Sequence, residues 1–515
     1  MGELNRNFWL LGYILLIFPF NNAFGQSKYW IFFKDRSIAN TPNVSEKAIE
    51  NRKKMGLGVF QISDFGPKTS DLVKIKNIGI ELKQISKWFN AASANLSDMQ
   101  VKQILELPFI KTVSLINSKS TIALYDLNKI ENVEEIKLIY ALAQIKANVF
   151  VENSLNGDHI SVGVIDAGFY DANSDMDLDH LFKNNKILGT RDFVNPNKKD
   201  FFGEKESDLE GHGTMVLKAI CGKNENFYQG LAAQSKFYLA RTESSKRETR
   251  IEEDNWIAAI EWLDSLGVRL VNSSLGYTNG FTDPKENYFP ENMNGKTTLI
   301  AKGAKMAVVE KGMIIIASAG NEGGNKKWKS LVSSPADVEE VISVGAVGRD
   351  GEKMDYSSIG PENETFLKPE IAVFSTNGTS LAAPIVTGLV ASILQTNPSM
   401  SSLEIKRLLS ISGNLFPFPN NYVGFGFPDC EKIFLLINDK SKPSKFQKIV
   451  KKGVYVLEGK VMTEVLIFHK INEKIVKSQS FKNIGAHPIE IIKPEGIKQS
   501  TLVFNSEIIE LVWEN

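Results

Sequence analysis

The order of apolar runs between residues 140 and 438 predicts an α/β unit, a mainly parallel sheet with helices on both faces. Short runs rich in Val and Ile alternate there with longer stretches of helical spacing. Asp, His, Asn and Ser residues fall where a strand ends or a helix begins, and in such sheets those ends share one edge where sites form. A strand–helix–strand pattern precedes this unit and a series of short strand-like runs follows it. The 515 residues therefore divide into 1–25, 26–139, 140–438 and 439–515: a leader, a small α+β unit, the α/β unit and a small β unit.

Met1–Gly25 reads as an export leader, with Arg6 as the positive start and Phe8–Phe20 as an apolar run. Ala23-Phe24-Gly25 places small residues for cleavage before Gln26, so the protein is expected in the periplasm or beyond, secreted or at the cell exterior. In the second unit Tyr29–Phe33 reads as a strand and Ser45–Met55 as a helix capped by Ser45. Trp88–Ala94 reads as extended, Ser97-Asp98 as the cap of a helix through Ile104 and Leu105, and Phe109–Leu115 as a strand. Ser120–Ile139 is polar and charged, an accessible linker.

Ala141–Val151 opens the α/β unit as a short helix or arm. Ser161–Ile165 is a buried strand ending at Asp166. Gly211-His212-Gly213-Thr214 opens a helix with Met215, Val216, Ala219 and Ile220 on its apolar face. Phe237–Arg241 is a strand; Glu252–Leu266 is a helix with Trp256, Ile257, Ile260 and Leu263 at helical spacing. The helix dipole explains its first-turn Glu252, Glu253 and Asp254, and one face is a candidate cleft wall. Leu270–Gly276 is a strand, Phe281–Lys296 a loop, Thr297–Glu310 a helix, Met313–Ala317 a strand that leads to Asn321, and Glu340–Val347 a further strand. At Gly378-Thr379-Ser380 an irregular turn becomes a helix through Ile385, Leu389 and Ile393. There the Ser380 hydroxyl meets unpaired N–H groups and the positive helix end, a setting suited to a nucleophile and the oxyanion it creates. Gly378, Ala382 and Ala383 let another backbone approach.

Beyond Leu435 the composition changes. Lys440–Lys452 is basic and polar and reads as a linker. Val454–Leu457, Val465–Phe468, Ile489–Ile492, Thr501–Phe504 and Ile508–Trp513 read as five short strands of a small sandwich, a unit that binds substrate, caps its neighbour or addresses the chain for export. His469 and His487 lie here as surface residues outside any chemistry. Formal net charge is zero, which gives no electrostatic footprint for nucleic acid or an anionic membrane. Two cysteines, Cys221 and Cys430, make neither a disulfide scaffold nor a zinc site, and stand as a pair or as two core thiols.

Asp166, His212 and Ser380 follow one of the known chain orders of a serine triad. With Ala317–Asn321 they resemble the subtilases, subtilisin-like serine peptidases, over roughly Tyr140–Leu435. The resemblance implies a secreted serine endopeptidase that cuts extended polypeptides through Asp166, His212 and Ser380 and an acyl-enzyme. It assigns Asn321 to the oxyanion, Ser274, Leu275 and Gly276 to pairing with the substrate backbone, and Ala319 and Gly320 to the opposite wall of the specificity pocket. Residues 26–139 then resemble an inhibitory propeptide, cut off by the enzyme itself near Tyr140–Leu142. Lys368-Pro369-Glu370-Ile371 resembles the family's lead-in to the nucleophile, with a trimmed Ala372–Asn377. Such an enzyme requires no cofactor and no catalytic metal, acts as a monomer, and binds polypeptides and its own propeptide but no nucleic acid.

The chain departs from the family pattern at Asp166-Ala167-Gly168, where a hydroxyl residue is usual at 167, and at Leu381, where Met is usual. Losing that hydroxyl loosens support of the aspartate. The oxygen-rich stretch Asp171–Asp179 is a candidate structural calcium loop or a solvated acidic loop. The alternative function is a catalytically silent binding module on the same fold. An ester hydrolase is disfavoured because Gly378-Thr379-Ser380-Leu381-Ala382 lacks the Gly-x-Ser-x-Gly pattern.

Overall fold

The computed structural model describes residues 27–38, 41–117, 134–203, 208–224, 228–244, 251–279, 287–438, 440, 446–457, 463–484, 488–504 and 507–514. The leader expected at Met1–Gly25, most of the expected Ser120–Ile139 linker and His487 lie outside them.

The first unit runs β1 (Ser27–Phe33), α1 (Glu46–Lys54), α2 (Thr69–Asn77), β2 (Leu82–Ser86), β3 (Ala91–Leu96), α3 (Asp98–Leu105) and β4 (Ile110–Asn117). The strands form an antiparallel sheet in the order β2-β3-β1-β4. Ser45 caps α1 by accepting from the Ala48 N–H at 3.2 Å, and Ser97 caps α3 in a reciprocal box with Gln100, as their sequence positions predict. Trp88–Asn90, expected to be extended, is instead part of a turn at Lys87–Asn90, with Asn90 at φ 51°. That turn points Trp88 away from its own sheet and into the neighbouring unit.

The second unit contains α4 (Glu134–Gln144), α5 (Asn148–Glu152), β5 (Ser161–Asp166), α6 (Asp179–Lys183), β6 (Ile187–Asp192), α7 (His212–Cys221), β7 (Lys236–Arg241) and α8 (Ile251–Ser265). It continues through β8 (Leu270–Ser273), α9 (Leu299–Val309), β9 (Ile314–Ser318), β10 (Ile342–Val347), β11 (Ile371–Phe374), α10 (Thr379–Thr396), α11 (Ser402–Ser412) and α12 (Cys430–Ile437). Its seven-stranded parallel sheet has the order β11-β10-β9-β8-β5-β7-β6. Alternate residues of each strand feed two cores, as the period of two requires. Val162, Val164, Leu270, Ile314 and Ile316 meet α7 and α10, while Ile165, Val271, Ile315 and Ala317 meet α8 and α9. The chain leaves β5 to build one flank through β7 and β6 and the other through β8 to β11, so the crevice at the carboxyl ends lies beside β5 and β8. By length and composition α10 could span a membrane, but 83% of it is buried inside this core. Tyr140–Leu142, the expected junction, lies within α4, whose Ala141 and Leu142 are buried in the core of the second unit.

The third unit comprises β12 (Phe446–Lys452), β13 (Val454–Leu457), β14 (Thr463–Lys470), β15 (Val476–Ile484), β16 (Ile489–Ile492), β17 (Gln499–Phe504) and β18 (Glu507–Glu514). A five-stranded sheet, β12-β18-β17-β14-β15, is covered by the β13-β16 ribbon. The expected linker Lys440–Lys452 is corrected here: Phe446–Lys452 is a strand, parallel to β18. His469 is half-buried rather than on the surface, its Nδ1 2.9 Å from Ser500 Oγ. Cys221 and Cys430 are both free and buried.

Candidate active site

β5 delivers Asp166, fully buried, to the carboxyl edge of the sheet. α7 begins at His212, and its Nδ1 stands 2.7 Å from Asp166 Oδ1. A carboxylate can only accept, so Nδ1 carries the proton, and in the neutral imidazole Nε2 is the acceptor. Oδ1 also accepts from the Ala167 N–H at 2.8 Å. Among the described residues no donor reaches Asp166 Oδ2. Ala167 offers that oxygen no side-chain donor.

Ser380 lies in the first turn of α10. The turn before it needs Gly378, which sits at φ +97°, where side chains are strained. A Cβ there would also lie 3.2 Å from Ser380 Oγ and 3.3 Å from Asn321 Nδ2, so both groups converge on the space that glycine leaves open. Asn321 follows β9 and is oriented by Thr379. The Thr379 N–H and hydroxyl each donate to Asn321 Oδ1 at 3.0 Å, and the same hydroxyl accepts from the Gly320 N–H at 3.1 Å. With Oδ1 engaged, the amide nitrogen is the end presented towards Gly378 and Ser380.

Ser274 does something that sequence reasoning did not foresee. Pro384 stands four residues after Ser380 and has no N–H, so the Ser380 carbonyl loses its helical donor. The Ser274 hydroxyl replaces it, donating to the Ser380 carbonyl at 2.8 Å. Asn272, buried on β8, holds Ser274 through Nδ2 at 2.9 Å and accepts from Thr387 of α10 at 2.8 Å. The first turn of α10 is thereby tied to β8. Leu275 and Gly276 continue beyond the strand, with Gly276 exposed. Ala319 is buried and Gly320 half-buried across from them. Ser333 stands between Gly276 and Gly320: its hydroxyl would clash with a Cβ on Gly276 and lies 3.0 Å from one on Gly320.

The acidic loop Asp171–Asp179 is bound by protein groups. Lys218 Nζ lies 3.1 Å from Asp175 and 2.9 Å from Asp177, and Asn224 and Gln229 also donate to Asp177. Burial alone would raise the Asp177 pKa, but Lys218 and Gln229 hold it below the usual carboxylate range.

Comparison with known proteins defines the class. The subtilase family model matches residues 157–426, and a model of the Bacteroidota peptidase S8 propeptide domain matches residues 28–135. The chain belongs to the subtilase family, as a serine endopeptidase preceded by a propeptide domain. Subtilisin E of Bacillus subtilis (strain 168) is 27% identical over 350 residues, covering 66% of this chain and 79% of the relative. Subtilisin DY of Bacillus licheniformis is 28% identical over 288 residues, covering 54% and 92%. The epidermin leader peptide processing serine protease of Staphylococcus aureus has a similar fold: its structure aligns with a TM-score of 0.55 at 19% identity, covering 81% of this chain and 100% of the neighbour.

Proposed function

We propose that this subtilase is an exported endopeptidase whose Ser380 attacks the scissile carbonyl of an extended polypeptide. His212 Nε2 takes the serine proton and returns it to the leaving amine, while Asp166 holds the imidazole in the productive tautomer and stabilises its cation. The Asn321 amide and the Ser380 N–H bind the oxyanion of each tetrahedral intermediate. The observation that carries this assignment is the convergence of Ser380 Oγ and Asn321 Nδ2 on the space beside Gly378, in a chain whose His212 meets Asp166 at 2.7 Å.

The substrate backbone adds alongside Leu275 and Gly276, with Ala319 and Gly320 as the opposite wall. Ser274 contributes its backbone to that edge and its hydroxyl to the nucleophile turn. Ser333 narrows the pocket between the walls and favours small side chains before the scissile bond, so Ser333→Gly widens the range accepted in a peptide-library profile. No cofactor enters this mechanism, and Lys218 already bridges Asp175 and Asp177, where calcium would compete. The enzyme acts as a monomer on polypeptides, without nucleic acid, and removes its own propeptide at a bond preceding α4.

Parallel assays with casein, a peptide substrate and a short ester test the assignment. Peptide cleavage that disappears in Ser380→Ala is expected. Ester turnover without peptide cleavage would overturn the endopeptidase assignment, and silence in every assay would favour a binding module.

A further inference from the structure

Beneath the Asp166–His212 pair lies a buried ion cluster that the mechanism above does not use. Arg241, at the end of β7, is 5% exposed. Its Nε donates to the Ala167 carbonyl at 3.2 Å, its Nη1 meets Asp192 at 3.0 Å, and its Nη2 meets Glu210 at 3.0 Å. Asp192 and Glu210 are 8% and 2% exposed, and Lys198 approaches Glu210 at 3.7 Å. Among the described residues, two carboxylates face one guanidinium and one nearby ammonium, a balance that lets charge be buried at tolerable cost.

The cluster joins the two segments that carry the proton-transfer residues. Ala167 follows Asp166 directly and supports its carboxylate through the N–H. Glu210 lies two residues before His212 in the sequence, and its backbone carbonyl accepts from the Tyr170 N–H at 2.9 Å. The segments are pressed together: a Cβ on Gly168 would fall 2.8 Å from both Cα and O of Glu210, and the Gly213 N–H donates to the Gly168 carbonyl at 2.9 Å. Among the described residues nothing donates to Asp166 Oδ2, so the carboxylate's orientation depends on the backbone around Ala167 more than it would with a hydroxyl at 167.

We propose that Arg241 is a positioning residue for this enzyme. Its planar fork fixes the Ala167 carbonyl and locks it to Glu210, setting the Asp166–His212 contact from behind and compensating for the hydroxyl absent at 167. The proposal rests on the triad assignment above. Only a guanidinium satisfies all three contacts at once; a lysine keeps the charge but supplies a single point donor.

The test compares wild type, Arg241→Lys, Ala167→Ser and the double variant in purified full chain, with processing and folding checked by mass and thermal melting. A fluorophosphonate that labels wild-type Ser380 first establishes the nucleophile; failure to label would reject the triad assignment rather than the role of Arg241. Given labelling, Arg241→Lys is expected to lower kcat about 10–100-fold with KM within about threefold. The low-field proton resonance of the His212–Asp166 hydrogen bond should shift or broaden. Ala167→Ser should change kcat less than about threefold alone yet restore most of the loss in the double variant, because neighbouring sites couple. An unchanged kcat and resonance in Arg241→Lys would overturn the proposal, as would a loss carried by KM or one that Ala167→Ser does not rescue. If Arg241→Lys fails to fold, the isosteric Glu210→Gln probes the same brace: a several-fold fall in kcat at constant KM supports it, and wild-type kcat refutes it.

Discussion

The peptidase unit carries a neighbour on each side, and the two attachments differ in how much buried charge they hold. The N-terminal unit docks on α8 and α9 through Trp88, which enters the core around Trp256 and Ile257, and through buried charge. Lys28 and Ser93 reach Asp254, the latter at 2.6 Å. Glu261 accepts from Ser86 and from the N–H groups of Lys87 and Trp88, the last two at 2.9 and 3.3 Å. Arg52 bridges Asp64 at 2.6 Å and Asp264 at 2.9 Å, while Lys311 meets Asp64 at 2.7 Å. The C-terminal unit docks through an apolar cluster framed by hydrogen bonds, Gln479 to the Lys353 backbone and the Val476 N–H to Asn421. Leu466, Phe468 and Val476 pack on Val347, Ala372, Leu415 and Val423. On β14 the alternate residues Val465 and Ile467 face the ribbon of their own unit. Burying such side chains contributes roughly 1.5–3 kcal/mol each at any pH. A buried ion pair returns little net energy but becomes a liability once one partner changes. The contrast is between an attachment rich in buried ion pairs and one built on an apolar cluster.

Breaking the charged attachment should have the largest effect. Arg52→Leu leaves Asp64 with Lys311 and Asp264 with the more distant Lys87, at 3.9 Å, and should weaken docking by about 3–5 kcal/mol. The readout is earlier appearance of peptidase activity after processing, or loss of folded yield, with the C-terminal unit unaffected. Phe468→Ala attacks the other side. It should lower stability by about 3–5 kcal/mol, seen in thermal melting, without changing how fast activity appears.

A smaller, sharper effect is a pH dependence of the N-terminal attachment. Burial pushes the Glu261 carboxyl up to about 7, against the opposing pull of Ser86 and Lys87. A group raised on docking binds its proton more tightly in the docked state. Docking is therefore favoured below the usual carboxylate range and loses that contribution as pH rises through about 7. Despite burial, Arg52 and Lys311 hold the Asp64 carboxyl below its ordinary value, so strong acid removes a different contribution. Release should accelerate with rising pH by up to about tenfold per unit between the usual carboxylate range and about 7. Glu261→Gln should flatten that slope; an unaltered slope would place the titration elsewhere. Smallest of all, chelation with EDTA should leave activity and melting temperature unchanged, because Lys218 already bridges Asp175 and Asp177.

The four residues proposed for the chemistry each carry a local signature in the sequence. Asp166 and Asn321 follow apolar strands, and His212 and Ser380 open helices among small residues. Their supports were not legible, since each depends on a distant partner. Nothing local ties Thr379 to Asn321, Ser274 to the carbonyl freed by Pro384, or Arg241 to Ala167. Fold elements were missed for the same reason. The sequence FQKIVKK of β12 resembles a basic linker until β18 supplies its pairing partner. β6, with Gly189 and three exposed positions, is too polar to stand out before β7 pairs with it.

The most direct measurement is the intact mass of the secreted protein made from Met1, wild type beside Ser380→Ala. Wild type should lose everything before α4 and keep the C-terminal unit, while the variant keeps both neighbours. Identical cutting in the two proteins, or none in either, would contradict a self-processing Ser380 nucleophile.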